Sequence, residues 1–248
     1  MRKVLTVMLA GSLLLLLASC GNSSQRSFVR FVNASPDAVT MDVTINGSKV
    51  LTGAAYGSGS NYFTVAPGTN IDLKIDTTGT NAQHFDTKIG LVDKSYYTIA
   101  AVGLTAAPST FTIVQAVDDH SAPAATAMKI RVLQLDPNFH IAPGDSGAVD
   151  AFVTTPTAIL NLPTSAPTFP SLTFQSIPSF VSVTVPTDGN LRIRVAPGGS
   201  TDPDNTNLPG WDSQTVNFKV GQVRTYVLLN NPSGTPYPNQ SLMLKDLN

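Results

Sequence analysis

Few side chains in this sequence of 248 residues are equipped for covalent chemistry. Cys20 is the sole cysteine, so the chain has one thiol to offer. It closes the run Leu17-Ala18-Ser19-Cys20, behind an apolar stretch from Val4 to Leu17 that Arg2 and Lys3 precede. A positive start, an apolar middle and a small-residue cleavage site make a secretory signal. The apolar stretch is about 14 residues, short of the ~20 that span a bilayer as a helix. A thiol placed directly after the cleavage site can become a thioether to lipid. One acyl chain on it binds a membrane only marginally, and two or more anchor stably. Cys20 used in this way leaves the folded part with no disulfide, no thiolate metal site and no cysteine nucleophile.

The remaining candidates are weaker. Every acidic residue is Asp, which removes all Glu-based general acid/base chemistry. Gly144-Asp145-Ser146-Gly147 is similar to the nucleophile motif of chymotrypsin-like proteases, but Ala148 stands where a second Gly is needed. The matching histidine signature is absent around His84 and His120, and no Gly-x-Ser-x-Gly elbow occurs. The segment reads as a polar turn. His84, His120 and His140 have no metal-ligand spacing. Asp202-Pro203-Asp204-Asn205-Thr206-Asn207 supplies closely spaced oxygens of the kind calcium takes. It lacks the Gly and the bidentate Glu of an EF-hand, so a solvated loop is expected, with no metal and no cofactor. Trp211 and Asp212 follow in the same stretch. A Trp beside Asp and Asn can stack on and hydrogen-bond to a sugar or a partner surface. Asp202, Asp204, Asn205, Asn207, Trp211 and Asp212 therefore form the candidate ligand-binding loop. The plainer use of Trp211 is to cap a core.

The elements that must position these residues read as strands. Charged residues are 12% of the chain. Removal of residues 1–19 takes Arg2 and Lys3 with it and moves the formal net charge from −1 to −3. No basic patch argues for nucleic acid. The absence of Glu and the abundance of Thr and Val favour an all-β chain. Apolar-polar alternation, as in Ile71-Asp72-Leu73-Lys74-Ile75, marks half-buried strands, and Asn46-Gly47 marks a hairpin. The second half follows the first in order. Val29-Arg30-Phe31-Val32 matches Ile130-Arg131-Val132-Leu133, and Met41-Asp42-Val43 matches Val149-Asp150-Ala151-Phe152-Val153. Asn70 to Ile75 matches Asn190 to Val195, Lys88 to Val92 matches Lys219 to Val223, and Tyr97-Thr98-Ile99 matches Tyr226-Val227-Leu228. The organisation expected is a signal peptide (1–19), lipidated Cys20 and tether (20–27), a first β-sandwich (28–117), a linker (118–127) and a second β-sandwich (128–248). The second sandwich carries the longer loops, at 136–148, 155–170 and 199–213, where any specialised function is expected.

Two resemblances add to this. Leu17-Ala18-Ser19-Cys20 resembles the lipobox of bacterial lipoproteins. That resemblance implies diacylglyceryl transfer to Cys20, cleavage before it and acylation of the new N-terminus. Gly21, rather than Asp, at the next position implies the outer membrane by analogy with enteric bacteria. Val29-Arg30-Phe31-Val32-Asn33-Ala34-Ser35-Pro36-Asp37-Ala38, then Asp42-Val43, Asn46-Gly47, Ala55-Tyr56-Gly57-Ser58, Tyr62 and Val65-Ala66-Pro67-Gly68-Thr69, resemble the bacterial domain of unknown function 4397. The resemblance implies an immunoglobulin-like sandwich in secreted and lipid-anchored envelope proteins, and no catalytic residues. From the residues themselves, Asn33, Ser35, Pro36 and Asp37 are expected to brace the turn after the first strand. The function expected is a non-enzymatic, lipid-anchored envelope protein in two tandem immunoglobulin-like antiparallel sandwiches. It would act in binding, adhesion or assembly, with the membrane as one partner and a protein or glycan as another. A carbohydrate-binding module centred on Trp211 is the alternative, and a hydrolase whose site assembles only in three dimensions is the weaker one. The tether Gly21 to Arg26 reaches roughly 20 Å when extended. The first sandwich is thus expected near the lipid and the second beyond it.

Overall fold

The structure, a computed structural model, describes residues 25–38, 40–80, 83–137, 147–160, 165–199, 211–229 and 240–247. Cys20 and the expected signal peptide lie outside the described residues. The first half contributes β1 (Ser27–Ala34), β2 (Thr40–Ile45), β3 (Ser48–Ala55), β4 (Phe63–Val65), β5 (Gly68–Thr77), β6 (Gln83–Leu91), β7 (Tyr96–Val102) and β8 (Thr112–Asp118). The second contributes β9 (Ala127–Gln134), β10 (Val149–Thr154), β11 (Phe169–Leu172), β12 (Val181–Thr184) and β13 (Asn190–Pro197). It ends with β14 (Trp211–Asp212), β15 (Val216–Asn217), β16 (Val223–Leu229) and β17 (Gln240–Leu247).

In the first half β4-β1-β7-β8 form one sheet and β3-β2-β5-β6 the other. The second half has the same order, β12-β9-β16-β17 and β11-β10-β13-β14, with β15 also on β13. The described residues are all-β, as composition and alternation predicted, in two sandwich halves of the immunoglobulin-like kind that the family resemblance implied. The sheets are not wholly antiparallel, however: β1 pairs with β7, and β9 with β16, in parallel. Alternation within a strand says nothing of its neighbour's direction.

The halves pack side by side through one sheet each. The first core lies between the two sheets of the first half and holds Val29, Phe31, Met41, Leu73 and Ile99. The second core does the same with Ile130, Val132, Val149, Ile193 and Leu228. A third cluster joins Val32, Ala34, Ala100, Val102 and Val114 of the first half to Leu133, Leu135, Val227, Leu229 and Leu244 of the second. The molecule is therefore four layers, with β1, β7, β9 and β16 buried on both faces. Outer strands keep the alternation: Ile71, Leu73 and Ile75 point inward while Asp72 pairs with Lys88 and Lys74 with Asp86 outside.

Both halves also point the same way. Arg30, in the first part of β1, bonds to Lys245 and Asp246, beside the start of β16. Gly57 donates to Asn33 O near the end of β1, and a Cβ at Gly57 would lie 3.8 Å from Leu229, at the end of β16. β1, β16 and its parallel neighbour β9 thus run together. The expectation that the second sandwich stands beyond the first gives way to two halves that begin at one shared end. The chain between β8 and β9 is residues 119–126, and Asp118 belongs to a strand. Strand pairing also resets one expected correspondence. Arg30 lies opposite Thr98 and Arg131 opposite Thr225, so Thr98 corresponds to Thr225, and Tyr97 does not correspond to Tyr226. Likewise Ile89 lies opposite Ile71 and Val216 opposite Leu191, so Ile89 corresponds to Val216 rather than Val220.

Candidate functional site

The densest gathering of ionisable side chains lies in the seam between the two inner sheets. Arg30 donates from Nε to Thr98 Oγ1 (2.8 Å), from Nη1 to Lys245 O (3.1 Å) and from Nη2 to Asp246 Oδ1 (2.5 Å). Arg131 makes the same set on the other side. Its Nε donates to Thr225 Oγ1 (2.9 Å), its Nη1 to Val117 O (2.8 Å) and its Nη2 to Asp118 Oδ1. Each Thr hydroxyl in turn donates to the carboxylate of its own half, Thr98 to Asp118 at 2.8 Å and Thr225 to Asp246 at 3.0 Å. Every carboxylate is thus held by a Thr of its own half and an Arg of the other. Tyr62 caps Arg30 with its ring 4.8 Å from the guanidinium and donates its hydroxyl to Asp118 Oδ2 at 2.5 Å. Phe180 covers Arg131 at 4.6 Å in the corresponding place but has no hydroxyl to donate.

Burial, together with the nearby Asp118 charge, pushes the Asp246 carboxyl up to about 6, against the pull of Arg30. Burial and the Asp118 charge also drive the Tyr62 phenol far above its ordinary value. A raised carboxyl beside a second carboxylate is the kind of pair that can divide acid and base roles. Here the geometry denies that use, because both carboxylates have side-chain exposures of 0% and their oxygens are occupied by Arg, Thr and Tyr. No substrate atom can reach them. The quartet is a latch between the halves.

Beside the latch, a groove of about 550 Å³ opens between β8 and the segment 177–180. Its lining mixes apolar and polar groups: Val117, Ile177, Pro178 and Phe180 with Gln115, Asp119, Arg131 and Ser179. Val117 and Ile177 are 64% and 46% exposed there.

The residues singled out from sequence fall elsewhere. Asp202, Asp204, Asn205 and Asn207 lie outside the described residues, as do Cys20, His140 and Gly144-Asp145-Ser146. Trp211 opens β14, opposite Val195. Asp212 accepts a fork from Arg192, Nε to Oδ1 at 3.1 Å and Nη2 to Oδ2, and takes the Gln214 N–H at 2.8 Å. It is a bracket between β13 and β14, so one oxygen-bearing member of the expected ligand loop is already engaged. His84 bonds to Thr77 and packs at 5.8 Å from Phe111. His120 stacks on Tyr96 at 3.5 Å, and burial lowers its pKa. Among the described residues, no three potential metal ligands gather.

The opening motif is architectural. Asn33 Oδ1 accepts the Ser35 N–H, its amide donates to Ala54 O, and Ser35 Oγ donates to Gly103 O. Burial raises the Asp37 carboxyl but the N–H groups of Ala106 and Thr105 overcome it, so its pKa is lowered. In the second half Gln134 takes the place of Asn33 and Asp136 that of Ser35. Asp42 accepts from Lys49, the Gly53 N–H and Thr78. Asp150 accepts the Ser171 and Gly199 N–H groups in the same role.

Sequence reasoning overlooked the latch. Its signal was present: an arginine interrupts an apolar run in both Val29-Arg30-Phe31-Val32 and Ile130-Arg131-Val132-Leu133. A charge in a strand buried on both faces needs a buried partner.

One solved structure similar to this chain is described as the crystal structure of CBMbc (family CBM26) from Eubacterium rectale Amy13K in complex with maltoheptaose. Identity is 9% and the TM-score 0.21, over 89% of this chain and 96% of that one, a likeness too slight to bear on fold or ligand. No curated protein matches. Residues 27–141, which span β1 to β9, match the family described as "Domain of unknown function (DUF4397)".

Proposed function

We propose that the protein is a non-catalytic module of the bacterial cell envelope, anchored by acyl chains on Cys20, that works by contact rather than by turnover. The observation that carries this reading is the fate of its ionisable side chains. Asp246, the latch carboxyl whose pKa burial raises, is sealed inside the seam with its oxygens engaged, while Val117 and Ile177 of the adjoining groove stay exposed. We further infer that the two halves are copies of one domain, since strand order, the Arg-Thr-Asp triads and the Asp42 and Asp150 brackets correspond. The outer membrane is the expected location. Radiolabelled palmitate supplied to cells should enter the wild-type protein and not Cys20→Ser, and an unlabelled wild type would overturn the anchor. Affinity capture of the anchored protein from membranes should return a protein or glycan partner. No nucleic acid is expected with it.

The carbohydrate reading is narrower. The Arg192–Asp212 pair fixes β14, and with it the backbone of Trp211, at a sheet edge. A glycan panel should then show affinity that Trp211→Ala weakens about tenfold or more, as loss of a central aromatic anchor does. A panel with no binder would discard this reading.

A further inference from the structure

The shared end of the two halves has the features of a surface that meets a membrane. Two matching turns stand there. Lys94 donates its N–H to Arg26 O just before β1, and Gly221 donates its N–H to Ala127 O at the start of β9. Because β1 and β9 run together, the turns Val92-Asp93-Lys94 and Lys219-Val220-Gly221 project from the same end. Each turn lifts a valine into solvent, Val92 at 65% and Val220 at 48% exposure. These are two of the five large hydrophobic side chains exposed among the described residues. Each valine has a lysine in its turn, Lys94 and Lys219.

Charge at this end runs against the rest of the molecule. Strand register and turn bonds place Arg26, Lys94, Lys129, Lys219, Arg224 and Lys245 there against Asp93, Asp119 and Asp188, while the two arginines and two aspartates of the latch cancel. The carboxylates are tied locally: Asp93 by the Arg26 N–H, Asp119 by Lys129 and Ser121, and Asp188 by Asn190. The chain without residues 1–19 carries a net charge of −3, so the cationic end faces an acidic remainder. Residue 26 is at this end too, six positions from Cys20.

We propose that this end docks flat on an anionic lipid surface, with Val92 and Val220 entering the headgroup layer and Lys94 and Lys219 pairing with lipid phosphates. The proposal rests on the lipid anchor at Cys20 for the side of the molecule that faces the bilayer. Docking would fix the block upright and turn the ends of β9 and β16, at Gln134 and Leu229, away from the membrane.

The test uses the full acylated chain in vesicles of phosphatidylcholine, with and without phosphatidylglycerol. Val92→Cys and Val220→Cys are each labelled with a thiol-reactive fluorophore, and Ser109→Cys, after β7 at the opposite end, serves as the reference. Nitroxide lipids should quench the labels at 92 and 220 several-fold more than the label at 109, and only with phosphatidylglycerol present. Lys94→Glu with Lys219→Glu should abolish the difference while leaving Tm unchanged. Equal quenching at all three positions would overturn the proposal. Failure of the anchor is seen separately, because a free Cys20 would label in the wild-type protein. In that case the unacylated chain is sedimented with the same vesicles. Binding that depends on Lys94 and Lys219 upholds the docking surface, and no binding overturns it.

Discussion

Arg131 touches three parts of the structure at once: its own sheet through Thr225, the β8 backbone through Val117 O, and the buried Asp118. Its removal leaves a carboxylate at 0% exposure without its cross-half partner. Arg131→Ala should therefore cost about 3–5 kcal/mol, the usual loss when one member of a buried pair is deleted. A lower urea midpoint with an unchanged slope would register it, and an unchanged midpoint would show that the latch is idle. Asp246 adds a pH signature. Its folded pKa of about 6 stands above the unfolded value of about 3.9, so the folded state favours the neutral acid. Stability from this group is fully present below about pH 4 and is lost as pH rises through about 6. Measured against Asp246→Asn, the wild type should lose ground between those limits and hold level above them. Parallel melting profiles across that window would contradict this.

At the scale of elements, the brackets decide how strands enter and leave the sheets. Asp42 is 3% exposed, and hydrogen bonds from Lys49 and Thr78 hold its pKa below the ordinary range. Its contribution has the opposite sign to that of Asp246: it is present above the unfolded value and lost as pH falls through the lowered folded one. Asp42→Ala should cost about 1–3 kcal/mol, since it strands the Gly53 N–H at the β3 bulge. Gly103 closes β7 at φ +84°, and a Cβ there would strike the backbone of Thr110. The same residue's carbonyl receives Ser35 Oγ. Gly103→Ala should cost more than about 2 kcal/mol from the left-handed conformation and the clash together, read as a fall in Tm. A near-neutral Ala would mean that the turn after β7 re-forms.

The whole molecule depends on the seam. A chain of residues 20–126 would expose Val32, Ala34, Ala100, Val102 and Val114 and strand Arg30 without Asp246. It should self-associate or fail to fold, judged by size-exclusion chromatography, and a stable soluble monomer would contradict the four-layer account. The sequence alone determined the strand class, the positions of most strands, the shared order of the two halves and the bracing role of Asn33, Ser35 and Asp37. These are local: alternation, turn residues and short side-chain bonds lie within a few positions of one another. The expectation of a signal ending at Cys20 is likewise local, because it rests on neighbours in sequence. The tertiary structure decided the parallel pairing of β1 with β7, the side-by-side halves, the Arg30–Asp246 and Arg131–Asp118 exchange and the common end that bears Val92 and Val220. Those join residues up to 216 positions apart, and no local pattern encodes which buried arginine meets which aspartate. Only the packing of two apolar sheet faces brings them within reach of each other.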